Sequence, residues 1–183
     1  TDGATNQGAD PVAAARSLGI PVHGVLVGSS RLEDRAIAGI ETSTGARVGR
    51  LLDKWDGIYD FLGAMDGKLY FRTTQGAPRG RVIAIDPPPP APVEIVPESR
   101  PTLYQASLVG GFVVASYLED ARTHLAVYGK DGKHLRDIRL PGQGTAIGFP
   151  DTPSDSETFF AYTDYLTPLA LYRYDVAKDE TSE

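Results

Sequence analysis

Short runs in which apolar and polar residues alternate recur along this chain at a nearly constant interval. The first set of runs is 68-KLYFRTT-74, 112-FVVASYLED-120 and 158-TFFAYTDYL-166. Measured at Tyr70, Val114 and Phe160, these runs lie 44 and 46 residues apart. Alternation over six to nine residues, rich in aromatic and β-branched side chains, predicts half-buried β-strands.

A second set of runs repeats with the same period. Its members are 81-RVIAID-86, 124-HLAVYG-129 and 170-ALYRYD-175. Measured at Ile85, Tyr128 and Tyr174, they lie 43 and 46 residues apart. Two independent landmarks therefore share one period, and a repeat of about 40–50 residues built from short strands is typical of β-propeller blades.

Further strands complete each repeat. Candidate inner strands precede the landmarks at 58-IYDFLG-63, 103-LYQASLV-109 and 145-TAIGF-149, and outer strands follow two of them at 92-PVEIV-96 and 134-HLRDIRL-140. Asp66-Gly67 and Asp131-Gly132 lie between apolar runs, where this dipeptide supplies the positive φ angles of a tight hairpin. We therefore expect a mainly β fold, a partial β-propeller of about three four-stranded blades over residues 46–183. The alternative is an all-β sandwich with evenly spaced strands.

The first 45 residues follow a different pattern. Asp10 can cap a helix that begins at Pro11, continues through 12-VAAARSL-18 and ends at Gly19. The next run, 20-IPVHGVLVG-28, lacks clean alternation, which is typical of a strand buried on both faces. This order predicts a short α/β-like N-terminal segment over residues 1–45.

A second interpretation of the N-terminal segment remains open. Leu26 lies 44 residues before Tyr70, in step with the repeat. The run around Leu26, continued by 35-RAIAGIE-41, is therefore also compatible with the remnant of a preceding blade.

Composition narrows the classes of function. The chain has 183 residues, 41% of them hydrophobic, a net charge of −6 and no cysteine. A protein that binds nucleic acid needs a positively charged surface, which an acidic chain is not expected to have. Without a run of 18 apolar residues, no membrane-spanning helix is expected. Disulfides, thiolate zinc sites and cysteine nucleophiles are excluded. The polar opening TDGATNQGAD does not resemble a signal peptide, and the profile is that of a soluble protein, with cytoplasm and periplasm both open.

The residues that commonly carry catalysis do not form a recognisable set. No Gly-x-Ser-x-Gly occurs; Ser29 and Ser30 follow Gly28 but lack the closing glycine of a nucleophile elbow. The histidines, His23, His124 and His134, lack the close spacing of metal ligands, and His124 and His134 are each expected to open a strand. We expect no catalytic residue, no metal site and no cofactor in this chain, and the substrate-binding residues stay unassigned.

Four local features have both a functional and a plain interpretation. The run 142-GQGTAIG-148 lacks the lysine-serine pair of a phosphate loop, which favours a turn between blades. The acidic clusters Glu119-Asp120 and 151-DTPSDSE-157 fall in predicted loops, which favours solvated turns over an acid–base pair. The prolines Pro87 to Pro90, with Pro92, form either a stiff connector or a ligand for a proline-recognising domain.

Residues from about 46 to 178 resemble the later blades of the prolyl oligopeptidase β-propeller. The resemblance is carried, in the family's order, by 51-LLDKWDGIYDF-61, 67-GKLYFRTTQGAPRGRVIAID-86, 95-IVPES-99, 108-LVGGFVVASYLEDA-121, 127-VYGKDGKHLRDIRLPGQG-144 and 157-ETFFAYTDYLTPLALYRYDV-176. It implies a non-catalytic propeller portion of a serine endopeptidase that cleaves short peptides after proline. In that family the propeller packs on an α/β-hydrolase peptidase domain and excludes folded proteins. No residue of the family's triad has a counterpart here.

Residues from about 1 to 42 resemble the closing part of a von Willebrand factor A domain. The matching residues are Thr1-Asp2-Gly3, Asn6, Gly8, Asp10-Pro11, 13-AAAR-16 and 18-LGIPVHGVLVGS-29. The resemblance implies that Asp2 corresponds to one ligand of that family's metal site, whose other ligands are missing here. Two alternatives follow for the whole protein, a non-enzymatic propeller interaction module and a metal-dependent adhesion protein.

Overall fold

The computed structural model describes residues 26–27, 50–52, 56–86, 91–150 and 153–183. The chain divides into two compact units, Thr1–Trp55 and Asp56–Glu183. In the first unit the described part is a parallel pair of strands, β1 (Leu26–Val27) and β2 (Arg50–Leu52). The expected helix from Asp10 to Gly19 and the expected continuation at 35–41 lie outside the described residues.

The second unit contains three four-stranded antiparallel sheets in chain order, as the repeat predicts. Blade 1 consists of β3 (Tyr59–Met65), β4 (Lys68–Thr73), β5 (Arg81–Asp86) and β6 (Ala91–Val96). Blade 2 consists of β7 (Thr102–Val109), β8 (Phe112–Glu119), β9 (Arg122–Tyr128) and β10 (His134–Ile138). Blade 3 consists of β11 (Thr145–Gly148), β12 (Glu157–Thr163), β13 (Ala170–Asp175) and β14 (Glu180–Ser182). Each strand pairs with its neighbour in the chain, so every blade is a meander, and the prediction of a partial β-propeller is confirmed.

Two apolar clusters lie at the junctions between blades. At the first junction Tyr70, Val82 and Ala84 of blade 1 pack with residues of blade 2 such as Leu103 and Val113. At the second, side chains of blades 2 and 3 pack together, with the Phe149 and Phe160 rings stacked 5.0 Å apart. Since successive side chains of a strand point to opposite faces, the middle blade contributes to both clusters.

The two Asp-Gly turns differ in detail. Asp66 and Gly67 both have positive φ, 52° and 77°, and connect β3 to β4 directly. At Asp131-Gly132 only the glycine has positive φ, 80°. The hairpin there is longer, because the Gly129 amide donates to the Lys133 carbonyl oxygen at 2.9 Å.

Blade 3 departs from the expected strand boundaries at two points. The run predicted as a strand through Leu166 ends at Thr163, since the Asp164 carboxylate accepts the amides of Leu166 and Thr167 at 2.9 and 2.6 Å. The outer strand β14 has no counterpart among the predicted strands. Its sequence, Glu-Thr-Ser, is polar and all three residues are exposed, so no alternation marks it.

Candidate functional site: the inner strand edge

The first strand of each blade lies at the same edge of its sheet, and side chains connect these edges. We call β3, β7 and β11 together the inner strand edge. The Arg72 guanidinium donates from Nε to the Leu103 carbonyl oxygen at 2.8 Å, which joins blade 1 to blade 2. The Gln105 side-chain amide donates to the Gly148 carbonyl oxygen at 2.6 Å, which joins blade 2 to blade 3. These bonds hold neighbouring backbones at a set spacing.

A buried hydrogen bond also joins β7 to the residue that follows β11. The Ser107 hydroxyl, 1% exposed, donates to the Phe149 carbonyl oxygen at 2.5 Å. Phe149 has φ of 59°, in the left-handed region that is unusual for an aromatic residue. The bond to Ser107 and the stacking on Phe160 hold Phe149 there.

Aromatic side chains are displayed along the inner strand edge. The register of β7 shifts between Leu103 and Gln105, and Tyr104 at this bulge is 63% exposed. Bulges of this kind redirect a side chain out of the regular alternation. Phe61 of β3, 54% exposed, is a second aromatic residue at the edge. Nearby, Asp60 of β3 forms an ion pair with Arg72 of β4 at 2.6 Å. The inner strand edge therefore carries exposed aromatic side chains beside two charges that balance each other.

The outer strand of blade 2 is bound to blade 3 through Arg136. Its Nε lies 3.1 Å from the Asp179 carboxylate and 3.3 Å from the Tyr174 hydroxyl, and the guanidinium also donates to the Val176 carbonyl oxygen. Burial by itself lowers the pKa of this guanidinium, but contacts with Tyr174 and Asp179 outweigh it and raise the pKa. Arg136 also lies over the Phe112 ring at 5.9 Å. This group connects two blades and holds them together.

Two histidines that are ten residues apart in sequence meet at one carboxylate. The Nε2 atoms of His124 and His134 lie 3.2 and 2.8 Å from the same oxygen of Asp137. His134 opens β10 as expected, whereas His124 is the third residue of β9 rather than its first. Partial burial raises the pKa of Asp137, but the hydrogen bond from His134 and the charge of His124 outweigh it and lower the pKa. The sequence does not signal this cluster, because antiparallel pairing of β9 with β10 creates it.

His124 also lines an open groove of about 260 Å³. Its lining includes Arg122, His124, Leu140 and Gln143. Over the part of the chain that the structure describes, no group of three or more histidine, aspartate or glutamate side chains is arranged to hold a metal ion. Nor does that part contain a helix long and apolar enough to cross a membrane.

The other residues considered from the sequence occupy turns and sheet surfaces. Asp120 lies in a tight turn with φ of 48°, and Glu119 pairs across the hairpin with Arg122. Glu157 forms an ion pair with Arg173 at 3.2 Å. The glycine run at 142–148 joins β10 to β11 and ends within β11. Residues 1–25, Pro87 to Pro90 and residues 151–152 lie outside the described residues.

Comparison with known proteins agrees with this architecture. The model of the family described as "Prolyl oligopeptidase, N-terminal beta-propeller domain" matches residues 30–183. The chain belongs to this family. The match leaves the von Willebrand factor A resemblance of the first residues without support.

Relatives of the prolyl oligopeptidase family match the same region. A prolyl endopeptidase of Elizabethkingia miricola is 30% identical over 111 residues, 59% of this chain and 16% of that protein. A prolyl endopeptidase of Dictyostelium discoideum is 28% identical over 155 residues, 77% of this chain and 20% of that protein. This chain thus spans about a fifth or less of the length of these relatives.

Solved structures give the same fold. A prolyl endopeptidase, studied for the role of inter-domain dynamics in catalysis and specificity, superposes with a TM-score of 0.67 at 32% identity. That superposition covers 72% of this chain and 20% of the other. Prolyl oligopeptidase B from Galerina marginata, bound to a 35-residue substrate, superposes with a TM-score of 0.66 at 21% identity, covering 73% of this chain and 20% of the other.

Proposed function

We propose that this chain is the non-catalytic propeller portion of a prolyl oligopeptidase-like serine endopeptidase that cleaves short peptides after proline. In this proposal the blades pack on an α/β-hydrolase peptidase domain and act as a substrate-size gate. The observation that carries the proposal is that hydrogen bonds from Arg72 of β4 and Gln105 of β7 connect the first strands of blades 2 and 3 to the preceding blades. In this proposal the inner strands of the complete propeller border the entrance for the substrate, and bonds of this kind keep that entrance too narrow for a folded protein.

The hydrogen-bond partners of His124, His134 and Ser107 support a role without bond cleavage. A serine nucleophile needs a base within hydrogen-bond reach. Both described histidines, His124 and His134, contact Asp137, while the buried Ser107 hydroxyl donates to a backbone carbonyl oxygen. We infer that the catalytic residues and the α/β-hydrolase fold belong to a domain outside these blades.

The N-terminal segment keeps two interpretations within the proposal. The family match begins at residue 30, which supports the interpretation of residues 30–45 as the remnant of a preceding blade. Residues 1–29 retain the von Willebrand factor A-like interpretation as a hypothesis. An Asp-x-Ser-x-Ser loop in the sequence that precedes residue 1, together with Mg²⁺-dependent binding by that longer protein, would support it, because Asp2 by itself does not supply the about six oxygen ligands that Mg²⁺ takes.

The test of the main proposal uses a polypeptide that carries these blades together with a peptidase domain. We expect it to cleave a short fluorogenic peptide after proline, whereas the 183-residue chain alone releases no fluorophore. A parent polypeptide with no such activity would instead favour a non-enzymatic interaction module.

Gating is tested separately in the same polypeptide. Gln105→Ala removes the bond to the Gly148 carbonyl oxygen and should loosen the junction of β7 and β11. We expect the rate on long proline-containing peptides to rise relative to the rate on short ones. The control is Gln143→Ala, an exposed glutamine in the linker, which should leave the ratio unchanged. An unchanged ratio in Gln105→Ala would remove the gating role and leave the family assignment intact.

A further inference from the structure

Tyr104 interrupts the regular alternation of the middle inner strand, β7. Leu103 and Ala106 both pack in the apolar junction with blade 1, although they lie three positions apart. Gln105, between them, donates its side-chain amide to blade 3. Successive side chains of a regular strand point to opposite faces, so Tyr104 is the extra residue of the bulge in this register. Its side chain is left 63% exposed.

The exposure of Tyr104 does not depend on where the three blades end. Blade 2 is the middle blade, and its two faces pack in the junctions with blade 1 and blade 3. Within its sheet β7 is an edge strand that pairs with β8 alone. Further blades of a complete propeller pack against blades 1 and 3 and surround a central channel. They therefore leave the inner edge of blade 2 open towards that channel.

Both neighbours of Tyr104 are tied to adjacent blades. The Leu103 amide donates to the Arg79 carbonyl oxygen at 2.7 Å, and the Leu103 carbonyl oxygen accepts from Arg72 Nε at 2.8 Å. On the other side, the Gln105 side chain is bonded to blade 3 at 2.6 Å. The ring of Tyr104 is thus presented from a fixed backbone, which reduces the ordering that a ligand has to impose.

The same bonds determine how an extended peptide can be recognised at this edge. Peptides often add to an edge strand through backbone hydrogen bonds. At Leu103 the amide and the carbonyl oxygen already have partners in blade 1, so a peptide cannot pair there without breaking two bonds. The exposed ring of Tyr104 offers recognition through a side chain instead. Aromatic rings provide a large apolar surface at low conformational cost and bind proline rings in extended peptides.

We propose that Tyr104 is a specificity-determining residue that binds a proline or another apolar side chain of an extended peptide substrate. This inference rests on the proposed function, in which the inner strands border the substrate entrance. A short peptide bound at the peptidase domain does not reach the inner strand edge, whereas a longer one does. The contact at Tyr104 therefore favours longer peptides among those narrow enough to enter.

Kinetics of a polypeptide that carries these blades together with a peptidase domain test the proposal. Tyr104→Ala should lower kcat/KM for long proline-containing peptides, relative to a short fluorogenic peptide, by about threefold to tenfold. The change should lie in KM rather than kcat, because the contact is made equally before and during the reaction. Tyr104→Phe keeps the ring and should retain the parent ratio. The matched control is Tyr165→Ala, which removes an exposed tyrosine between β12 and β13 and should also retain it.

The direction of the change separates binding by Tyr104 from gating. Gln105→Ala is expected to raise the ratio of long-peptide to short-peptide cleavage, whereas Tyr104→Ala should lower it. A ratio that is unchanged or raised in Tyr104→Ala, or lowered equally in Tyr104→Phe or Tyr165→Ala, would overturn the role of Tyr104. Cleavage of the short peptide after proline would then leave the proposed function intact. A parent polypeptide that cleaves no peptide after proline would overturn both.

Discussion

Gly132 lies so close to the carbonyl oxygen of Ile95 that a β-carbon at this position would be 2.3 Å from that oxygen. The contact joins the hairpin between β9 and β10 to the end of β6, so it lies at the junction of blades 1 and 2. Lys130 of the same hairpin reaches Asp66 of blade 1 at 2.5 Å. Close backbone approach is therefore part of how these two blades are held together.

Gly132→Ala should lower the free energy of unfolding substantially. The substituted residue keeps a φ of 80°, which costs about 1 kcal/mol, and its methyl group also collides with the Ile95 carbonyl. We expect a total loss of about 3 kcal/mol, measured by urea denaturation. The control is Gly67→Ala, with a φ of 77° and nothing within 4 Å of the added carbon, which should cost only about 1 kcal/mol. Equal losses would show that the blades separate readily at this junction.

Thr158→Val should stabilise the chain. The Thr158 side chain is 0% exposed, and its hydroxyl oxygen has no hydrogen-bond partner among the residues that the structure describes. Replacing this hydroxyl by a methyl group removes the desolvation penalty and should raise the free energy of unfolding by about 1 kcal/mol. Thr73→Val is the control, since Thr73 is equally buried but its hydroxyl oxygen accepts the Gln75 amide at 3.0 Å. That variant should lose about 1 kcal/mol in the same denaturation experiment.

Ala121→Gly should relieve backbone strain in the hairpin between β8 and β9. Ala121 has a φ of 62°, beside Asp120 at 48°, as in a type I′ turn that glycine fits better. We expect an increase of about 1 kcal/mol in the free energy of unfolding, seen as a higher melting temperature. Ala64→Gly in β3 is the comparison, because Ala64 is an exposed strand residue outside the positive-φ region. It should lower stability by about 0.5–1 kcal/mol.

Tyr162 and Asp164 should make stability depend on pH at both extremes. The Tyr162 hydroxyl donates to the Asp164 carboxylate at 2.7 Å, and this bond, with the Leu166 and Thr167 amides, lowers the pKa of Asp164 to about 2. The folded state therefore binds this proton less readily than the unfolded state. The stabilisation is present above pH 3.8, the ordinary value, and is lost as pH falls towards about 2.

At alkaline pH the dependence of stability on pH is reversed: stability falls as pH rises. Burial, followed by the bond to Asp164, raises the pKa of Tyr162 from 10.0 to about 12, so the stabilisation is present below pH 10 and disappears as pH rises towards about 12. Asp164→Asn should remove this carboxylate's contribution at acid pH, whereas Tyr162→Phe should remove the alkaline contribution and only reduce the acid one, because the Leu166 and Thr167 amides still bind Asp164. Urea denaturation at a series of pH values measures the slopes. An acid slope that persists unchanged in Asp164→Asn would show that this carboxylate is not stabilised in the folded state.

Much of the fold was predictable from the sequence because its determinants are local. Alternation around Tyr70, Val114 and Phe160, repeated at 44 and 46 residues, predicts the strands and the number of blades. Asp66-Gly67 specifies its turn through the two φ angles that it can adopt. The polar strand β14 was missed because a strand without alternation leaves no periodic signal.

Tertiary structure decided the contacts between residues that lie far apart in sequence. Gly132 meets Ile95, 37 positions earlier, and Arg136 meets Tyr174, 38 positions later, because neighbouring blades face one another. His124 and His134 meet at Asp137 through the pairing of two strands. Alternation establishes that a strand has two faces but not which neighbour covers each of them. Burial of Phe160 at the junction of blades 2 and 3 therefore follows from packing alone.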